Sequence, residues 1–161
     1  MEVIKMVDVS KKLENAIKIA KNFTFNPETK VWLLADNEGW TNSYFMELGA
    51  LNTERAKAQA ILNGCNTNFD TAKKNRPKAK VCLEGLSKGE RVRDMEWDLS
   101  DNTLILKGKT IKSKVNPTFI KYFFTAYNPT GLKLRVTGEL TPIKVFSWGE
   151  LVGVIMPIQA N

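Results

Sequence analysis

Three acidic residues at alternate positions are the first feature able to do chemistry: Asp94, Glu96 and Asp98 in the run RDMEWDL. On an extended strand such side chains share one face, about 6.5–7 Å apart. That spacing suits Mg²⁺ and metal-dependent nucleolysis. The alternation also sends Met95, Trp97 and Leu99 to the opposite face, so the plainer expectation is the wet side of a half-buried strand. Lys107 and Lys109 lie near in sequence but not at a persuasive nuclease spacing. Other machinery is limited. The chain has no histidine, which removes imidazole acid–base catalysis, His triads and His-ligated zinc. Cys65 and Cys82 cannot supply a four-thiolate zinc site, and buried free thiols are expected over a disulfide in a reducing compartment. Neither GxGxxG, GxxxxGK[ST] nor GxSxG occurs. The expectation is a non-enzymatic protein with no cofactor and no metal.

Cations are the more abundant resource. Lys and Arg number 24 against 17 Asp and Glu, a net charge of +7, which favours polyanionic partners electrostatically. The excess is spread over both halves, with one local cluster. Lys73, Lys74, Arg76, Lys78 and Lys80 have no carboxylate between Asp70 and Glu84, and Asn75 and Pro77 mark the stretch as an exposed loop or arm. Such a loop is either simply solvated or in contact with phosphates.

The elements that must position these residues follow from periodicity. VDVSKKLENAIKIAKNF (7–23) predicts a helix capped by Asp8 or Ser10. Leu13, Ala16, Ile17 and Ala20 form its apolar stripe; Lys11 and Lys18 fall opposite, flanked by Lys21. KVWLLAD (30–36) reads as a buried strand, and residues 40–50 are ambiguous. NTERAKAQAILNG (52–64) predicts a helix capped by Asn52 or Thr53, lined by Ala56, Ala60 and Ile61, and closed by Asn63-Gly64. Beyond a polar connection at 65–80 the chain is strand-rich: 79–85, 93–99, 103–108, 132–138, 141–148 and 151–158. One helix interrupts these strands. It is capped by Asn116 with Pro117 in its first turn, faced by Ile120, Phe123, Phe124 and Tyr127, and stopped by Asn128-Pro129. The four tryptophans (32, 40, 97 and 148) lie in or beside strands; packing in the core is the expected use, with stacking platforms for single-stranded nucleic acid as the alternative. The fold class is α+β, an antiparallel sheet with helices packed on one face. No apolar run approaches the ~18–20 residues of a membrane span, and the first residues lack a secretory pattern, so a soluble cytoplasmic protein is expected.

The closing segment is more specific. Val115-Asn116-Pro117-Thr118-Phe119-Ile120, the paired stretches from Leu132 to Phe146 around Pro142, and Val154-Ile155-Met156-Pro157-Ile158 follow in an order and separation that resemble the C-terminal domain of the bacterial replicative sliding clamp, the beta subunit of DNA polymerase III. The resemblance covers roughly residues 103–158. It implies a DNA-clamp-like single domain over 1–161, with an insertion at about 40–80. Family clamps carry three such domains in one chain, whereas this chain has room for one, and the usual Arg-Leu ending is Gln159-Ala160-Asn161 here. An abbreviated form of this kind suits a phage or mobile element.

The resemblance further implies a replication processivity factor that encloses duplex DNA without reading bases. Lys11, Lys18, Lys21 and Lys121 on two helices would face the DNA; Lys73, Lys74 and Arg76, from the basic loop read by its charge, are candidate further phosphate contacts. Val154, Ile155, Met156, Pro157 and Ile158 would border a pocket for polymerase-type peptides. A ring would need a homo-oligomer or addition to another clamp. The alternative is a small basic nucleic-acid-binding protein without a ring; a nuclease based on Asp94, Glu96 and Asp98 ranks below both.

Overall fold

The structure is a computed structural model that describes residues 2–67, 83–98 and 102–158. In chain order its elements are α1 (Glu2–Ile19), β1 (Lys30–Leu33), β2 (Gly39–Thr41), β3 (Phe45–Leu48), α2 (Ala50–Leu62) and β4 (Asn66–Thr67). There follow β5 (Glu90–Arg91), β6 (Asp94–Asp98), β7 (Thr103–Lys107), β8 (Lys112–Val115), α3 (Pro117–Ala126), β9 (Leu132–Val136), β10 (Ile143–Ser147) and β11 (Glu150–Ile155). The chain divides into two compact units, one of Met1–Phe23, Leu86–Leu151 and Ile155–Asn161, the other of Thr24–Gly85 and Val152–Val154. The span 40–80, expected as an insertion into a single domain, falls within the second unit.

In the first unit, α3 forms because every local signal agrees. The Asn116 side chain accepts the Thr118 N–H at 3.0 Å, Pro117 occupies the first turn, and Ile120, Phe123 and Phe124 are buried. Asn128 then caps a short 3-10 turn over Pro129–Gly131. Helix α1 starts earlier than its periodic stretch suggests, at Glu2, so Asp8 and Ser10 lie inside it and do not cap it. Its inward stripe is as expected: Ala16 and Ala20 are buried, and Leu13 and Ile17 are half-buried. Phe23, just beyond α1, meets Tyr122 of α3 edge to face, with centroids 5.5 Å apart.

Strands β6, β7 and β8 form an antiparallel meander, while β11, β10, β9 and β5 lie side by side in that order. In β9, Leu132, Leu134 and Val136 are buried and Lys133 and Arg135 alternate with them. Trp148 and Gly149 join β10 to β11 with φ of 49° and 84°, the left-handed pair that a two-residue hairpin turn requires.

The second unit is built around Trp40, fully buried between Phe25 and Phe45 at centroid distances of 5.4 and 5.2 Å. Strand β1 buries Val31 and Leu33 and leaves Trp32 44% exposed, so it is a half-buried strand where a fully buried one was expected. The ambiguous residues 40–50 are the β2–β3 hairpin. Asn42 Oδ1 accepts the N–H groups of Tyr44 and Phe45, both at 2.9 Å, and so folds the turn.

Helix α2 departs from expectation at its start, where Gly49 stands at the cap. Thr53 instead lies inside the helix and its hydroxyl donates to Gly49 O at 2.8 Å. Ala56 and Ala60 are buried as expected, but Ile61 is 66% exposed. Asn63-Gly64 closes the helix, with Gly64 at φ 65°. Short β4 pairs parallel to β1, a departure from an all-antiparallel reading. The strand expected at 79–85 lies largely outside the described residues, and its described part, 83–85, is not strand. The whole is α+β with predominantly antiparallel sheets, and among the described residues no helix is long and apolar enough to cross a membrane.

Candidate nucleic-acid interface

Helix α1 separates its two faces cleanly. Ala16 and Ala20 turn inward, whereas Lys11, Lys18 and the following Lys21 are exposed. Glu14 is also exposed and, three residues from Lys11 and four from Lys18, lies on that same face and offsets part of its charge. Lys121 is placed differently. Its ammonium donates to Ala20 O at 2.8 Å, where α1 has just ended. It therefore serves the negative C-terminal end of that helix and is only half exposed. A phosphate contact by Lys121 would have to share that donor group. Lys73, Lys74 and Arg76 lie outside the described residues.

The acidic alternation sits where expected, on β6, but each carboxylate already has a cation. Asp94 pairs with Lys12 at 2.7 Å, Glu96 with Lys107 at 2.6 Å and Asp98 with Lys114 at 2.8 Å. The Lys12 ammonium, by its hydrogen bond, holds the Asp94 carboxyl below the usual carboxylate range. Lys107 does the same to Glu96. Among the described residues no group of three or more His, Cys, Asp or Glu is placed to hold a metal ion. Cys65 is a free, half-buried thiol, and burial pushes its pKa up, the opposite of an activated nucleophile. Cys82 lies outside the described residues.

The Met-Pro stretch is mostly core. Val154 and Ile155 are 5% and 0% exposed, and Pro157 is buried. Met156 is 43% exposed, and Ile158 is half-buried with its N–H on Lys114 O at 2.7 Å. Of the five residues expected to border a peptide pocket, only Met156 and Ile158 offer surface. The buried run Gly153, Val154 and Ile155 at the end of β11 does not alternate and is covered on both faces.

A different face gathers charge that sequence reading passed over. Across β10, β9 and β5, Lys144 stands opposite Arg135 and Arg135 opposite Arg91, while Phe146 stands opposite Lys133. Cross-strand partners share a face, so this row lies on the side away from buried Leu134 and Val145. The same register carries Trp148 opposite Gly131, and the backbone N–H of Trp148 donates to Gly131 O at 2.9 Å. A Cβ on Gly131 would lie 2.3 Å from the indole ring, so the ring rests across that bare backbone, 68% exposed.

Arg135 is partly spent, donating to Gly89 O at 2.8 Å and to Lys88 O at 3.2 Å. Among the described residues no carboxylate pairs with Lys133, Lys144 or Arg91. The signal for this face was the strict alternation of 132–137 together with Phe146 and Trp148 two apart. Ranking core packing above base stacking for the tryptophans kept it from view. That ranking holds for Trp40, whereas Trp32 and Trp148 are exposed.

No family model, curated protein or solved structure matches the chain.

Proposed function

We propose that this protein is a non-enzymatic, sliding-clamp-like DNA tether that holds duplex DNA through its phosphates. The observation that carries the reading is α1: its Lys11 and Lys18 are exposed on the side opposite the buried Ala16 and Ala20, and Lys21 just past its end is exposed too. Helix α1 lies beside α3, which the Lys121 and Phe23–Tyr122 contacts hold in place. The order strand, Asn-Pro helix start, paired strands and a last strand followed by Met156-Pro157, from β8 through the end of β11, supports the resemblance to the clamp's C-terminal domain. Contacts of this kind are sequence-independent and salt-sensitive. Ring closure in this reading needs several copies or addition to another clamp. Docking of polymerase-type peptides would rest on Met156 and Ile158, a flexible thioether being suited to adaptable contact.

A second reading, a small basic nucleic-acid-binding protein without a ring, is favoured by the cationic row on β5, β9 and β10. Two measurements test these readings. The Lys11→Glu/Lys18→Glu variant should bind a fluorescent duplex at least tenfold more weakly at low salt, with its thermal melt unchanged. Light scattering should give a mass well above a single 18.2 kDa chain, and closed circular DNA should retain the protein better than linear DNA. Unchanged duplex affinity removes α1 as the contact. A strict monomer with equal retention on both DNA forms removes the clamp and leaves the second reading.

A further inference from the structure

The outer face of β5, β9 and β10 places like charges directly opposite one another, Lys144 to Arg135 to Arg91. Such an arrangement destabilises a sheet when nothing neutralises it. Beside the cations stand two rings, the half-buried Phe146 on β10 opposite Lys133 and Trp148 in the turn that follows. Trp148 is 68% exposed and rests on a glycine that has no side chain to hold it down. An exposed indole gains nothing from water. Cations with interleaved rings on an open sheet face are the combination that binds an unpaired strand: phosphates pair with Lys and Arg, and bases stack on the aromatic planes. Duplex DNA cannot use the rings, because its bases are already stacked.

We infer that the outer face of β5, β9 and β10 binds single-stranded nucleic acid, with Lys133, Lys144 and Arg91 holding the backbone and Phe146 and Trp148 stacking unpaired bases. This rests on the partner being a nucleic acid and adds a second surface to the one on α1. Recognition is without sequence preference, since every base has a π-face. It names the unpaired strand and leaves deoxyribose and ribose as the two sources.

The test uses the full chain with fluorescent oligo-dT, oligo-rU and a duplex of equal length. Trp148→Ala and Phe146→Ala should each weaken binding of one or both single strands about tenfold and leave duplex binding unchanged. Trp148→Phe should recover part of the loss. Lys133→Glu/Lys144→Glu should flatten the salt dependence for the single strand. Because Trp148 is mostly exposed, its replacement is compatible with folding, and circular dichroism checks this. Lys11→Glu/Lys18→Glu should lose duplex and keep oligo-dT. Folded Trp148→Ala and Phe146→Ala proteins that bind both single strands like the wild type overturn the inference while the α1 reading stands. Absence of salt-dependent binding to any of the three nucleic acids removes both.

Discussion

Asp94 on β6 ties α1 to the sheet through Lys12, and the sign of its pH dependence follows from that bond. Its folded-state pKa lies below the ordinary carboxylate value, so folding favours the ionised form. The contribution is complete above the unfolded value, near pH 4, and is lost as pH falls through the depressed folded value. Both partners are about half exposed, so solvent screening limits the pair to at most about 1 kcal/mol. Asp94→Asn should cost less than that at pH 7 in urea melts, and progressively less as pH falls below the unfolded value; an equal loss at neutral and acid pH would contradict the assignment.

The bonds of Glu90 could not be read from the sequence. Its carboxylate accepts from Thr110 N at 2.8 Å, Thr110 Oγ1 at 2.6 Å and Ile111 N at 2.9 Å. Gly108 is needed because a Cβ there would lie 2.6 Å from Glu90 Oε1. Nothing in the sequence joins residues 20 apart; the link exists only once β5 and the β7–β8 turn have met.

At the scale of elements, α3 was readable from cap to last turn because cap, proline and apolar stripe lie within its own stretch of sequence; only Tyr127, expected on its face, falls at the extended C-cap. Asn116→Ala should therefore cost about 1 kcal/mol, read as a shift in urea midpoint without a change in slope. Helix α2 was readable in its interior but not at its start. A Gly49 cap with φ of 114° gives no Ser/Thr/Asn/Asp signal, and Asn52 and Thr53 drew the boundary inward.

The β2–β3 hairpin was ambiguous for two reasons. Its turn depends on the Asn42 side chain and lacks an Asn-Gly pair, and buried Glu47, 1% exposed and accepting the Trp40 indole N–H at 3.0 Å, breaks the apolar alternation. Close approach marks the same hairpin, since a Cβ on Gly39 would lie 2.4 Å from the Glu47 carbonyl oxygen. Gly39→Ala should destabilise by about 1–3 kcal/mol; a melt equal to wild type would show that the strands separate freely.

Across the whole molecule, the net charge of +7 was legible at once, but its usable distribution was not. The α1 lysines stood out because a helical stripe is local. The acidic run on β6 suggested metal chemistry because its three lysine partners come from α1, β7 and β8, which only the tertiary fold assembles. The Met-Pro stretch suggested a ledge, and burial of Val154, Ile155 and Pro157 reduces it to Met156 and Ile158. The cationic row depends on strand register, which composition cannot give.

Phosphate contact by this chain is decided by the affinity for a short duplex measured across a salt series. The logarithm of the association constant should fall linearly with the logarithm of salt concentration, losing about 0.9 of slope for each phosphate neutralised, and Lys11→Glu/Lys18→Glu should reduce that slope by about two such contacts. A wild-type affinity that is independent of salt, or absent at the lowest salt, would contradict it.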